Sequence, residues 1–334
     1  MKTLIVGVGA LGGLIAARLR ASGPPVWLAT RNAESAARLK ASGLRLTGVG
    51  GAVSVEVAEV APVDEYRAGD AFDLIVLATK AHDAIEVAPR LSRLLGPGGT
   101  LLPIQNGGVA QTLADQLGDD RVLGGLSNLG ATMAAPGVYE QRNAGHLLVG
   151  ELAGGASERA ERVRGWLGRA VEVRVTPNIR GAVWSKLLLN CSVTTIGAIA
   201  GRTMREYIVT PDGRELFERT YDEALSVALA SGARPERMLV DPIPPARSAP
   251  GEHDAWLAQI LRGYGDVKPS MLQDFERGHT TEIDFVNGYV VDVGRQLGVR
   301  TPANAAIVET VYAITRGQIA PDLTLLGRTL RASR

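Results

Sequence analysis

The chain has 334 residues, with 36 Lys and Arg against 35 Asp and Glu, and 46% of it is hydrophobic. That composition suits about two folded domains with sizeable cores and argues against disorder. A net charge of +1 offers no clustered cation excess for nucleic acid or an acidic membrane face. Cys191 is the sole cysteine, so neither an internal disulfide nor a Cys-rich zinc cluster can form, and a reducing cytoplasm fits.

Met1 to Ala17 has the outline of a secretory signal, one positive charge ahead of an apolar stretch. Gly7, Gly9 and Gly12 break that stretch and argue against it. No later apolar run is expected to reach the roughly 18 to 20 residues of a membrane span.

Short apolar runs at Leu4–Val6, Val26–Leu28, Leu74–Leu77, Leu101–Ile104 and Val122–Leu123 read as buried strands. They alternate with helical periodicity at Leu11–Leu19 and Ala84–Leu95, the pattern of a parallel sheet covered by helices. Beyond Ala131, Gly137–Glu140 and His146–Glu151 read as a hairpin, Ser157–Leu167 as a helix, and Val171–Val175 as the strand that closes the sheet. Thr176-Pro177 has the form of a helix start. From there Trp184–Ile199, Arg214–Ser231, Ser270–Glu276, Glu282–Leu297 and Asn304–Arg316 are all expected to be helical. The expected division is therefore a dinucleotide-binding domain over 1–177 and an α-helical substrate and catalytic domain over 178–334. Five prolines between Ala233 and His253 predict a long irregular excursion, a surface insertion before a lid.

Gly7-Val8-Gly9-Ala10-Leu11-Gly12 is a G-x-G-x-x-G that follows a strand and opens a helix. In that context the glycines allow a tight turn, close approach to a pyrophosphate and close helix–strand packing, and the helix N-terminus faces the phosphates. The second strand ends at Thr30-Arg31 without the acidic residue that would bind a ribose diol, and Arg31 offers a fork for a phosphate. The cofactor expected is NADP(H). Lys80 and Asn106 stand at two further strand ends, where an open α/β sheet places its ligand.

In the second half Lys186, Asn190 and Thr194 recur at intervals of four, on one helix face. A lysine turned into a crevice can protonate a carbonyl oxygen as hydride reaches carbon, although most helical lysines are solvated. Ser270 with Gln273 can form a capping box, and a carboxylate at Glu282 suits the start of a helix. Residue types alone leave both open.

The whole set resembles the ketopantoate reductases (2-dehydropantoate 2-reductases). The resemblance runs through the glycine loop at Gly7, Arg31, the Thr-Lys at Lys80, the Gln-Asn-Gly at Asn106, Trp184 to Asn190, and Ser270 to Gly288. It implies a Rossmann-type α/β domain followed by an all-α domain of the 6-phosphogluconate dehydrogenase-like type, with the site between them. It also implies NADPH-dependent reduction of a small 2-oxo acid, ketopantoate first, in pantothenate synthesis. By resemblance Lys186 is the proton donor, Asn190 and Ser270 contact substrate, and Glu282 lies near both the lysine and the nicotinamide. Asn106 and Ala131 fall at cofactor positions, with Asn106 also near substrate, and a homodimer is compatible with it. Thr194 and Met204 stand where the family carries asparagines that line the substrate pocket, which opens the choice of substrate toward another 2-oxo acid or an imine.

Other classes fare worse. A non-catalytic NADPH sensor would have no use for Lys186 and Glu282. Gly125-Leu126-Ser127-Asn128-Leu129 lacks the last glycine of a nucleophile elbow. The four histidines are scattered, and Glu252-His253-Asp254, expected on a loop, is the sole grouping that hints at a metal, so no metal site is expected.

Overall fold

A computed structural model describes residues 1–334 and divides them into two compact units, Met1–Ile179 and Arg180–Arg334. In the first, the chain runs β1 (Thr3–Val6), α1 (Ala10–Ala21), β2 (Trp27–Thr30), α2 (Ala33–Ser42), β3 (Leu44–Gly48), β4 (Val53–Val55), β5 (Val60–Pro62), β6 (Phe72–Leu77), α3 (Ala81–Ser92), β7 (Leu95–Pro103) and α4 (Val109–Leu117). It continues through β8 (Gly124–Ser127), β9 (Ala131–Ala135), β10 (Val138–Gln141), β11 (His146–Gly150), α5 (Glu158–Leu167) and β12 (Glu172–Val175). Five parallel strands form the main sheet in the order β5-β2-β1-β6-β7. All four residues of β1 are buried, as are the last four of β6, because helices cover both faces.

The order reverses between β1 and β6. A sheet of this kind opens its ligand crevice at that switch point, outside the carboxyl ends of the strands. Val6 pairs with Leu77, and Leu77 with Pro103, so the tips of β1, β6 and β7 lie level there.

The expected hairpin does not form. Strand β10 pairs with β9 and β3, whereas β11 pairs with β8 and β12 in a separate three-stranded sheet. The tight antiparallel pair forms one step earlier, between β9 and β10, and β12 closes the small sheet rather than the main one. Val122 makes only an isolated bridge to Leu101.

The second unit holds α6 (Ile179–Leu189), a π-helical turn (Asn190–Thr194), α7 (Thr195–Ala200), α8 (Met204–Tyr207), α9 (Pro211–Ala230), α10 (Pro250–Tyr264), α11 (Ser270–Arg277), a 3-10 turn (Ile283–Phe285), α12 (Asn287–Leu297), α13 (Pro302–Thr315) and α14 (Leu325–Ala332). Leu187, Leu188, Ile196, Leu216, Phe217, Val290, Ile307 and Leu326 belong to its core. The Thr176 hydroxyl accepts from the Asn178 amide, 3.0 Å, as a capping hydroxyl does, and the regular helix begins at Ile179.

The stretch Ile179–Ala200 is long and apolar enough to cross a membrane, with mean hydropathy 1.3, contrary to the expectation of no such run. In this fold 78% of its most apolar window is buried, as for a core helix. The proline-rich excursion is shorter than expected, since Pro250 starts α10 at a position where proline needs no amide partner. His253 therefore sits in a helix, not a loop, and its Nδ1 contacts Pro245 O at 3.0 Å. The Tyr221 hydroxyl bonds Pro242 O (2.9 Å), Trp256 Nε1 bonds Asp241 O (2.8 Å), and the Glu236 amide bonds Ser185 Oγ (2.7 Å). These bonds fasten the excursion to the helices beneath it.

Candidate active site

At the switch point, Gly7 has φ +90° and donates its amide to Ala29 O at 3.1 Å. A Cβ there would meet Thr79 Cγ2 and Thr79 N at 2.7 Å, so the loop after β6 closes directly over it. A Cβ on Gly12 would lie 2.0 Å from Gly7 O, which fixes glycine where α1 passes the turn. Gly9 is different: a Cβ there meets nothing within 4 Å. Open space therefore lies above the one glycine expected to touch a ligand.

Helix α1 starts just behind, with no side-chain cap and no acid in its first turn. Its leading amides have no acceptor inside the helix and carry the positive end of the dipole. Buried Thr79 Oγ1 and Gln105 Oε1 have no hydrogen-bond partner, while Gln105 Nε2 ties the tip of β6 through Leu77 O and Thr79 O, both at 3.0 Å. Bare glycine and helix amides, with the Thr79 hydroxyl as a further donor, fit a dinucleotide pyrophosphate.

Val8, Ala10 and Leu11 line this loop, partly exposed. Lys80 is exposed at the N-cap of α3, Asn106 lies in the bend after β7 just before Gly107 (φ +74°), and Ala131 is the first residue of β9. Arg31 follows β2 and is exposed. Its guanidinium contacts Asp83 Oδ2 in the first turn of α3 at 3.1 Å.

In the helical unit Lys186 lies near the end of α6, largely withdrawn from solvent. Burial lowers its ammonium from the ordinary 10.5 to about 8, against the opposing attraction of the Glu282 carboxylate. The structure thus links Lys186 and Glu282 electrostatically. Asn190 and Thr194 bound the π turn, and the Thr194 hydroxyl donates to Asn190 O at 2.9 Å. Ser270 is the exposed first residue of α11, and the expected capping box is absent because Pro269 occupies the N-cap. Glu282 precedes the 3-10 turn rather than a helix; α12 begins only at Asn287. Met204 is 1% exposed and belongs to the core, as does Cys191, whose thiol burial pushes well up. A groove of about 840 Å³ between α12, α13 and α14, lined in part by Arg295, Glu309, Tyr312 and Arg328, contains none of these residues.

The family model "Ketopantoate reductase PanE/ApbA" matches residues 3–154, and "Ketopantoate reductase PanE/ApbA C terminal" matches 178–315. A 2-dehydropantoate 2-reductase of Mesorhizobium japonicum is 30% identical over 342 residues, covering 95% of this chain and 99% of the relative. The chain belongs to the ketopantoate reductase family. It is accordingly an oxidoreductase of the class acting on CH–OH groups. A crystal structure of a PanE/ApbA family ketopantoate reductase from Ralstonia eutropha is similar with TM-score 0.78 and 26% identity, covering 95% of this chain and 99% of that one. D-mandelate dehydrogenase with NADH and anilino(oxo)acetate shares the fold at TM-score 0.79 and 23% identity, with 95% and 99% coverage.

Several residues that shape these sites escaped the sequence reading. The Tyr139 ring occupies the space over Gly13, where a Cβ would lie 2.1 Å from Cζ, and its hydroxyl holds Val8 O at 2.9 Å. The second glycine of Gly12-Gly13 was the available signal. Thr79 and Gln105 stand in the Thr-Lys and Gln-Asn-Gly motifs, whereas Asp83 gave no signal, since polar residues at loop tips are ordinary.

Proposed function

We propose that this enzyme uses NADPH to reduce the ketone of a small 2-oxo acid to the 2-hydroxy acid, with ketopantoate the leading substrate. The observation that carries this reading is Lys186, a withdrawn lysine whose burial lowers its ammonium to about 8 against the opposing charge of Glu282. A proton donor works best when its pKa lies near the working pH. Bound in the glycine loop, NADPH would supply the hydride to the carbonyl carbon. Lys186 gives its Nζ proton to the carbonyl oxygen, and Glu282 keeps the ammonium charged until that transfer. Asn190 and Ser270 are assigned to holding the substrate, with Thr194 beside Asn190. Gly7 to Gly12, Lys80, Asn106 and Ala131 are assigned to the cofactor, and Arg31 to the 2′-phosphate that separates NADPH from NADH. On this reading residues 1–177 carry the cofactor and 178–334 the substrate chemistry, and the names of the relatives support the substrate class.

A second reading, a different 2-oxo acid, is favoured by two observations. The Thr194 hydroxyl spends its proton on Asn190 O, and Met204 is packed in the core, so neither offers a donor for a hydroxylated substrate. NADPH consumption with ketopantoate beside a panel of 2-oxo acids separates the two by relative kcat/KM. Cofactor binding without turnover across the panel would overturn both.

A further inference from the structure

The π turn Asn190–Thr194 interrupts a helix whose sequence reads as continuous. Such a turn shifts the backbone ladder by one residue, as in the Thr195 amide bond to Asn190 O. Side chains add further donors to its carbonyls. Asn190 O accepts from Thr194 Oγ1 (2.9 Å) and Thr195 Oγ1 (3.1 Å), and Ser192 O and Val193 O accept from the Tyr207 hydroxyl (2.9 and 3.3 Å). Cys191 O accepts from Asn287 Nδ2 at 3.3 Å.

Asn287 is fully buried and opens α12, five residues beyond Glu282. Its amide nitrogen also donates to Asn304 Oδ1 at 2.9 Å. Asn304 Nδ2, equally buried, bonds Glu223 Oε2 (2.9 Å) and Thr220 O (3.2 Å), and the Glu223 carboxylate accepts the Ala303 and Asn304 amides at the start of α13 (2.8 and 3.0 Å). A polar chain therefore runs from α9 through α13 to the first residue of α12 and ends on the π turn. Both protons of the Asn287 amide are used, while its Oδ1 is buried without a partner. A side chain kept in the core with one polar atom unsatisfied is held there for its two donors.

We propose that Asn287 is a positioning residue that clamps the segment carrying Glu282 to the π turn at the end of the Lys186 helix, fixing carboxylate against ammonium. This inference rests on the proposed roles of Lys186 and Glu282. Asn190 sits at the start of the clamped turn, so the same bond orients it.

The test compares full-length wild type with Asn287→Leu, which keeps the bulk and loses both donors, and Asn287→Ser, smaller and able to donate once if the leucine variant does not fold. Tyr207→Phe is the structural control: it removes a buried bond to the same π turn without touching the Glu282 segment. NMR titration of the Lys186 ammonium in 15N-lysine-labelled protein reads the geometry without turnover, and the basic limb of the pH–rate profile reads it during turnover. A nearby opposite charge moves a pKa by about one to three units, so partial withdrawal of Glu282 should lower the Lys186 midpoint by about half a unit or more. Tyr207→Phe should lower Tm and leave the midpoint in place. The inference fails if both Asn287 variants that fold titrate with wild type, or if Tyr207→Phe moves the midpoint as far. A wild type that titrates near 8 but reduces no 2-oxo acid would instead defeat the functional reading alone.

Discussion

Gly9→Ala separates a nucleotide loop from a merely structural glycine turn. Gly9 has φ −78° and ψ −159°, a conformation open to alanine, and the added Cβ meets no protein atom within 4 Å. Folding should therefore be unharmed, and the loss of unfolded-state freedom should stabilise the chain by about 0.4–1 kcal/mol. The methyl would instead fill the space where a pyrophosphate approaches the backbone. Each hydrogen bond to a charged group contributes about 1.5–3 kcal/mol, so losing one weakens NADPH binding by about ten- to 150-fold. Gly12→Ala is the contrast: its Cβ falls 2.0 Å from Gly7 O, and the helix must move by well over an ångström to make room. Overpacking of that kind costs about 1–3 kcal/mol, so stability and binding should fall together. Thermal melts with NADPH fluorescence titrations measure both. Gly9→Ala that binds NADPH as tightly as wild type would refute the assignment of this loop to phosphate.

Lys186→Ala should cost about a hundred- to ten-thousandfold in kcat with NADPH affinity little changed, as steady-state kinetics and binding titration would report. The protonated amine is the donating form, so reduction should decline as pH rises through about 8; Glu282→Gln removes the charge that opposes burial and should move that limb to lower pH. Arg31→Ala should erase a preference for NADPH over NADH by about tenfold or more, read from the two kcat/KM values. Asp83→Asn releases the same guanidinium from an exposed pair worth at most about 1 kcal/mol, so NADPH affinity should rise by no more than about fivefold.

The parts of the fold that were legible are those written in local pattern. Leu4–Val6 and Leu74–Leu77 are buried throughout, so their strands appear as unbroken apolar runs. By contrast β3, β4 and β5 are short and partly exposed, with no apolar run to announce them. Helix α10 was hidden by counting Pro250 as a breaker when it stands at the first turn. The π turn has no sequence signature, because its extra residue is stabilised by donors from Tyr207 and Asn287, far along the chain.

By itself the sequence determined the glycine loop, the parallel strands that flank it, the helical second half and the family. Backbone conformation and hydrophobic period are local, and they are carried by neighbouring residues. Only the tertiary structure decided which strands pair, that Asp83 faces Arg31, that Met204 is core, and that Lys186 is withdrawn beside Glu282. Those outcomes depend on desolvation and on contacts between residues far apart in the chain, which exist only once the cores have packed.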